Sequence, residues 1–159
     1  MITRMPMIAV VGAGTCSNQI TDLAEQVGAT LAQQNITVVC GGLDGVMAAA
    51  CRGAKSVGGQ TIGILPGRDP QAANPWVDVV IATGLGEARN TIIVHTAQAL
   101  IAIGGEFGTL SEIAFALKLG KPVIGLQTWQ LAYQNQFITA IQSVSSASAA
   151  VELALAQIA

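Results

Sequence analysis

Charge is scarce in this 159-residue chain: 10% of its residues are charged, seven Lys or Arg against nine Asp or Glu, for a net −2. The seven cations are spread thinly between positions 4 and 121. They form no basic stripe, so the electrostatic footprint of a nucleic-acid binder is missing. Any cationic site must be local and assembled by folding. Histidine occurs once, at 95, and the three cysteines (Cys16, Cys40 and Cys51) include no CxxC spacing. That supply argues against a zinc site and against a disulfide framework. No run approaches the roughly 18 apolar residues of a membrane span. Arg4 and Pro6 interrupt the apolar N-terminal stretch, and nothing resembling a cleavage region follows. The expected setting is cytoplasmic, with reduced thiols, no membrane and no nucleic acid.

Apolar residues are plentiful instead. They make up 52% of the sequence, and 18 glycines accompany them. A chain of this size and composition can bury one full core, so one domain is expected over 1–159. With so few charges to coat the outside, part of the surface is expected to be buried against copies of the same chain. The helical stretch 87–98, whose apolar residues exceed one face, is the expected contact.

Short apolar runs alternate with helical patterns, and glycines stand at the joints. Residues 7–11 (MIAVV) read as a strand buried on both faces, and 36–40 (ITVVC), 61–65 (TIGIL), 77–82, 99–103 (ALIAI) and 122–126 read as further strands. Ile20, Leu23, Ala24, Val27 and Leu31 recur at helical spacing up to about 34. A small-residue helix follows at 45–57, then helices at 87–98, 109–119 and 147–158. Strand, helix, strand with short joints implies parallel pairing and right-handed crossovers. The expected fold is α/β: a Rossmann-like open parallel sheet in the order 3-2-1-4-5-6, with helices on both faces.

In such a sheet, ligands bind beyond the carboxyl ends of the strands. The glycines concentrate there: Gly12 and Gly14, Gly41 and Gly42, Gly84 and Gly86, and Gly104, Gly105 and Gly108. Glycine lets backbone amides approach a ligand, and a helix N-terminus adds unpaired donors, so these joints predict an anion cradle. Its centre is Gly104-Gly105-Glu106-Phe107-Gly108-Thr109, which runs from a buried strand into a helix. A nicotinamide site fits poorly. Gly12-Ala13-Gly14-Thr15-Cys16-Ser17 has Ser where the third glycine of GxGxxG belongs, and Cys40-Gly41-Gly42 lacks the acid that would hold a ribose hydroxyl. Thr109-Leu110-Ser111-Glu112 fits a capping box, with Glu112 reaching back to the Thr109 amide; a position beneath the cradle also suits Glu112 for handling ligand. Arg89, with Asn90 beside it, and Arg68 could supply the positive charge. His95 reads as packed or at an interface. Trp76, Trp129 and Phe107 read as core or contact residues, with Phe107 also able to stack on a flat ring.

The segment from Gly104 to Glu112 resembles the GGxGTxxE motif of the Lonely Guy superfamily, with one residue more before Gly108-Thr109. With Gly41-Gly42, Glu87-Ala88-Arg89-Asn90 and Lys121-Pro122-Val123-Ile124-Gly125-Leu126, the resemblance extends to about Leu126. More narrowly, Ala88-Arg89-Asn90-Thr91-Ile92-Ile93-Val94 and Ile101-Ala102-Ile103-Gly104-Gly105 are similar to the molybdenum cofactor carrier branch. This resemblance implies a homotetramer that binds molybdenum cofactor, a phosphorylated pterin, and protects and delivers it to molybdoenzyme acceptors without transforming it. The implied binding residues are Gly12, Gly14, Gly41, Gly42, Arg89, Asn90, Gly104, Gly105, Glu106, Phe107, Gly108, Thr109 and Glu112. The superfamily's other branch implies an alternative, a cytokinin-type nucleoside 5′-monophosphate phosphoribohydrolase with Arg89 and Glu112 as its working pair. Two departures favour the carrier: Asn90 stands where that branch has lysine, and Ile103 where it has proline.

Overall fold

The computed structural model describes residues 4–159, and its centre is built from the continuous apolar runs. Strands β1 (Met7–Gly12), β2 (Thr37–Cys40), β3 (Thr61–Leu65), β5 (Ala99–Ile103) and β6 (Val123–Leu126) are nearly all buried. Strand β4 (Val79–Ala82) is different, with Val79 52% and Ile81 42% exposed. Helices α1 (Asn18–Gln33), α2 (Val46–Ser56), α3 (Asn90–Thr96), α4 (Phe107–Lys118) and α5 (Ala147–Ile158) join and flank them. Three further short strands, β7 (Leu131–Tyr133), β8 (Gln136–Ile138) and β9 (Ile141–Ser143), come late in the chain.

The expected Rossmann-like parallel sheet is present, in the order β4-β3-β2-β1-β5-β6-β9. All six neighbouring pairs are parallel. The 3-2-1 half matches expectation, and so does the 5-6 pair on the other side. The fourth strand does not sit beside the first, as the order 3-2-1-4-5-6 required: it lies outside β3. Its wetted residues explain the difference, since a strand with one uncovered side belongs at an edge. The fully apolar run 99–103 can be covered on both sides and takes the place next to β1. β9 adds a seventh strand, after a β7–β8 hairpin whose turn residues Gln134 and Asn135 both have positive φ. That backbone suits the twist of a two-residue hairpin, but neither residue is the glycine that announces one.

Helices cover both faces. α1, α2 and α5 pack on one side through Leu31, Val46 and Val151, against Ile8, Val10 and Ile101. α3 and α4 pack on the other through Ile93 and Ile113, against Ala9, Val11 and Leu100. The small residues of α2 pack on the sheet and also bring the helix hard against α1. A Cβ on Gly28 would strike the Ala50 carbonyl, and one on Gly53 the Glu25 carbonyl. Ser17 caps α1 by accepting the Ile20 amide at 3.3 Å, which accounts for serine where a third glycine was missing. Lys121 closes the end of α3, donating to the carbonyls of Val94, His95 and Ala97 at 2.5, 3.0 and 2.6 Å. Among the described residues, no helix is long and apolar enough to cross a membrane.

Candidate anion-binding cleft

Strand order reverses between β1 and β5, which open outward to β2 and β6. A cleft of about 250 Å³ lies at the carboxyl ends of these strands, where the open-sheet rule places ligands. Its floor carries Gly12, Gly14 and Gly41, and its walls carry Arg89, Asn90, Gly108, Thr109 and Glu112, with Glu106 also lining it. All nine were expected from the sequence. Four other expected residues lie elsewhere. Gly42 turns away under Leu65, with φ +77°. Gly104 and Gly105 line a separate shallow groove with Gln127, Thr128 and Trp129. Phe107 is 79% exposed and rests against Trp129, ring centres 5.6 Å apart. The cleft also includes Val11, Ala13, Met47 and Glu87, none of which was foreseen. Ala13 was in plain view, between the first two loop glycines. Arg68 and His95 are exposed and do not line it.

The glycine loop works by geometry at two levels. Gly104 (φ +56°) and Gly105 (φ +108°) complete the turn out of β5 in left-handed conformations that favour glycine, most strongly at Gly105. The turn finishes early, so α4 begins at Phe107, two residues before Thr109. The capping box is therefore absent. The N-cap is Glu106, which makes no side-chain cap bond, and Thr109 and Glu112 lie inside the helix. Leu110 is the first residue of α4 whose amide reaches a carbonyl, that of Glu106. The amides of Phe107, Gly108 and Thr109 precede it and have no carbonyl one turn back, which leaves donors and partial positive charge at the cleft wall.

Arg89 and Glu112 are 8% and 6% exposed. Burial holds the Arg89 guanidinium below its usual range, with Glu112, Cys40 and Glu87 opposing that shift. Burial also pushes the Glu112 carboxyl from 4.5 up to about 8, partly offset by Arg89. Arg89 donates through Nη1 to Asn90 Oδ1. Its Nε is buried and finds no partner. A buried donor left unmade costs about 1–3 kcal/mol, and more on a charged group, so a partner supplied by a ligand would recover that cost.

The glycines separate by cause. Gly12 is required by packing, since a Cβ there would strike the Ile103 carbonyl and Val46. At Gly41 a Cβ would come within 2.8 Å of Arg89 Nη2 and 2.7 Å of Met47 Sδ. Gly14 and Gly108 are required by nothing inside the chain. Neither has positive φ, and a Cβ on either would meet no atom within 4 Å. Both line the cleft, so what glycine leaves open there is cleft volume. One arginine faces three carboxyl groups here, on Glu87, Glu106 and Glu112. With Glu112 protonated near neutrality, the cleft offers amides and a guanidinium to an anion, and carboxylate oxygens to N–H donors.

Comparison with known proteins bears on this geometry. The model of the SLOG cluster4 family matches residues 5–155. The chain belongs to that family. This SLOG cluster4 member is 38% identical to the solved molybdenum cofactor binding protein of Rippkaea orientalis, with 99% of this chain and 100% of that one covered and a TM-score of 0.89. It is 31% identical to the molybdenum cofactor carrier protein of Chlamydomonas reinhardtii, covering 98% and 99%, with a TM-score of 0.83. A cytokinin riboside 5′-monophosphate phosphoribohydrolase of Mycobacterium tuberculosis is 30% identical over 120 residues, which are 70% of this chain and 64% of that enzyme. The kinship with the carrier branch read from 88–94 and 101–105 is thus present in sequence and in fold.

Proposed function

We propose that this protein binds molybdenum cofactor without transforming it, and shelters it for delivery to acceptor molybdoenzymes in the cytoplasm. The observation that carries the reading is the buried Arg89 guanidinium with an unpartnered Nε. It stands in one cleft with the unpaired amides of α4 and two glycines that no contact among the described residues requires. The cofactor's phosphate would lie against Arg89, Gly108 and Thr109. Its pterin edge, rich in N–H donors, would suit the cleft carboxylates. The names of the R. orientalis and C. reinhardtii proteins support the same cargo.

A second reading rests on a specific observation too: Arg89 and Glu112, the pair implied for phosphoribohydrolysis, do share the cleft. Their states argue against that chemistry. Glycosidic cleavage needs an ionised carboxylate near the developing positive charge, and the Glu112 carboxyl keeps its proton up to about pH 8. Restoring lysine at position 90 would not help. The Asn90 amide accepts from Arg89 and donates to Ser111, whereas an ammonium group can only donate. The test uses cofactor released anaerobically from a molybdoenzyme and mixed with the protein. Pterin should co-elute with the protein on gel filtration, and AMP should release no adenine above background. Robust adenine release, abolished by Glu112→Gln, would replace the carrier with the hydrolase.

We further propose that the working form is a homotetramer. Helix α3, the contact expected from sequence, spends Ile93 and Val94 on its own core. Apolar residues left outside include Phe115 and Leu119 at the end of α4, and Val79 and Ile81 on the β4 edge. Light scattering at micromolar concentration should give four chains; a monomer would refute self-association.

A further inference from the structure

Arg89 and Glu112 have opposite ionised forms, are both buried in one cleft, and are not paired. Among the described residues the ion pairs are Arg52–Glu25 and Lys55–Asp78, both at the surface. An ionised Glu112 this poor in solvent would attract the guanidinium strongly, so their separation calls for something that holds the guanidinium back. The hydrogen bonds around it show what does. Ser111 Oγ donates to the Gly108 carbonyl at 2.6 Å, and a carbonyl can only accept, so the single hydroxyl proton is committed there. Ser111 must then accept from Asn90 Nδ2, at 3.0 Å. With its NH₂ turned to Ser111, Asn90 can present only Oδ1 to Arg89, and Nη1 donates to it. The backbone of α4 thereby fixes the direction of every bond as far as the guanidinium.

We propose that Ser111 and Asn90 are positioning residues, a relay that holds Arg89 apart from Glu112 and keeps it available to an anion. Ser111 does not line the cleft; it acts through Asn90. This inference rests on the anion-site reading for its purpose, but the relay itself can be tested without ligand. The charged and titratable groups acting on Arg89 are Glu112, Cys40 and Glu87, and Arg89 is the one acting on Glu112. Removing the hydroxyl frees the Asn90 amide to rotate and releases Arg89 toward Glu112, whose carboxylate the cation would then stabilise.

The experiment follows the Glu112 carboxyl carbon by NMR through a pH titration, in the ligand-free wild type and in Ser111→Ala. Alanine is well tolerated in a helix, so the variant should fold. The wild-type midpoint, near 8, should fall by at least a full unit in Ser111→Ala. Ser111→Thr, which keeps a hydroxyl, should restore it. In parallel, affinity for inorganic phosphate should drop about tenfold or more, the scale of one charge-assisted hydrogen bond. If Ser111→Ala does not fold, Asn90→Ala takes its place with the same expected shift. A midpoint left where it was in a folded variant overturns the relay. A midpoint that falls, in a protein whose wild type ignores phosphate, upholds the relay and overturns the anion site.

Discussion

Glu112→Gln should make the ligand-free protein more stable at alkaline pH. In the unfolded chain the carboxyl ionises near its ordinary 4.5, while in the folded protein burial keeps the proton on until about 8. Between those values the folded state binds one more proton than the unfolded state. Stability must therefore fall as pH rises through this window, by up to about 1.4 kcal/mol per unit. Below the window the contribution is at its most favourable; above it the full cost of a buried carboxylate is present. Glutamine never ionises and removes the slope. Chemical denaturation across pH should show wild type and variant diverging steadily toward pH 8, with the variant ahead by a few kcal/mol at the top. Parallel curves would mean that Glu112 is already ionised, and would return it to candidacy as a catalytic carboxylate. The outcome expected from a capping box, a weakened helix start, has no basis once the N-cap is Glu106.

The second large effect should come from a contrast between two glycines of one loop. Gly105→Ala should both destabilise the protein and abolish phosphate binding. Its φ of +108° penalises any side chain, and a Cβ would press to within 2.5 Å of Thr109 Cβ, in the first turn of α4. A strained backbone and an overpacked contact together should cost about 3 kcal/mol or more. The side chain would act by displacing the turn that presents the amides. Gly108→Ala should do the opposite to stability. Its backbone is ordinary, its Cβ meets nothing, and it sits in a helix, so alanine should stabilise by about 0.5–1 kcal/mol. Phosphate affinity should nonetheless fall, because the methyl group enters the cleft. Thermal unfolding and phosphate titration on the two variants separate these outcomes. A Gly108→Ala protein that binds phosphate normally would show that the ligand does not approach there.

The sheet could be read from the sequence wherever a run was apolar on both faces, as at 7–11 and 99–103. Pairing order could not be, because it depends on which strand can bear water. The exposed Val79 and Ile81 look like any β residues until their neighbours are known. The β7–β8 hairpin escaped notice since Gln134 and Asn135 adopt positive φ without the usual glycine. Arg89, Asn90 and Glu112 were visible because a glycine-rich strand-to-helix joint has few uses, and folding does bring them together. What stayed hidden was which glycine serves the fold and which the ligand. That distinction lies in contacts between segments far apart in sequence. The same holds for Ser111, whose part emerges only from tracing each proton to its acceptor.

The close seating of Gly28 and Gly53 carries a mechanical consequence. With backbone pressed on backbone at two places, α1 and α2 can neither slide nor roll without collision, so they behave as one stiff plate. That plate anchors the loops bearing Gly14 and Gly41. On the opposite wall Arg89 stands on a 3₁₀ turn (Gly86–Arg89) leading into the seven-residue α3, whose far end is held by the ammonium of Lys121. The glycine floor of the cleft therefore takes its shape from how two helices seat on each other, at contacts well away from the cleft itself.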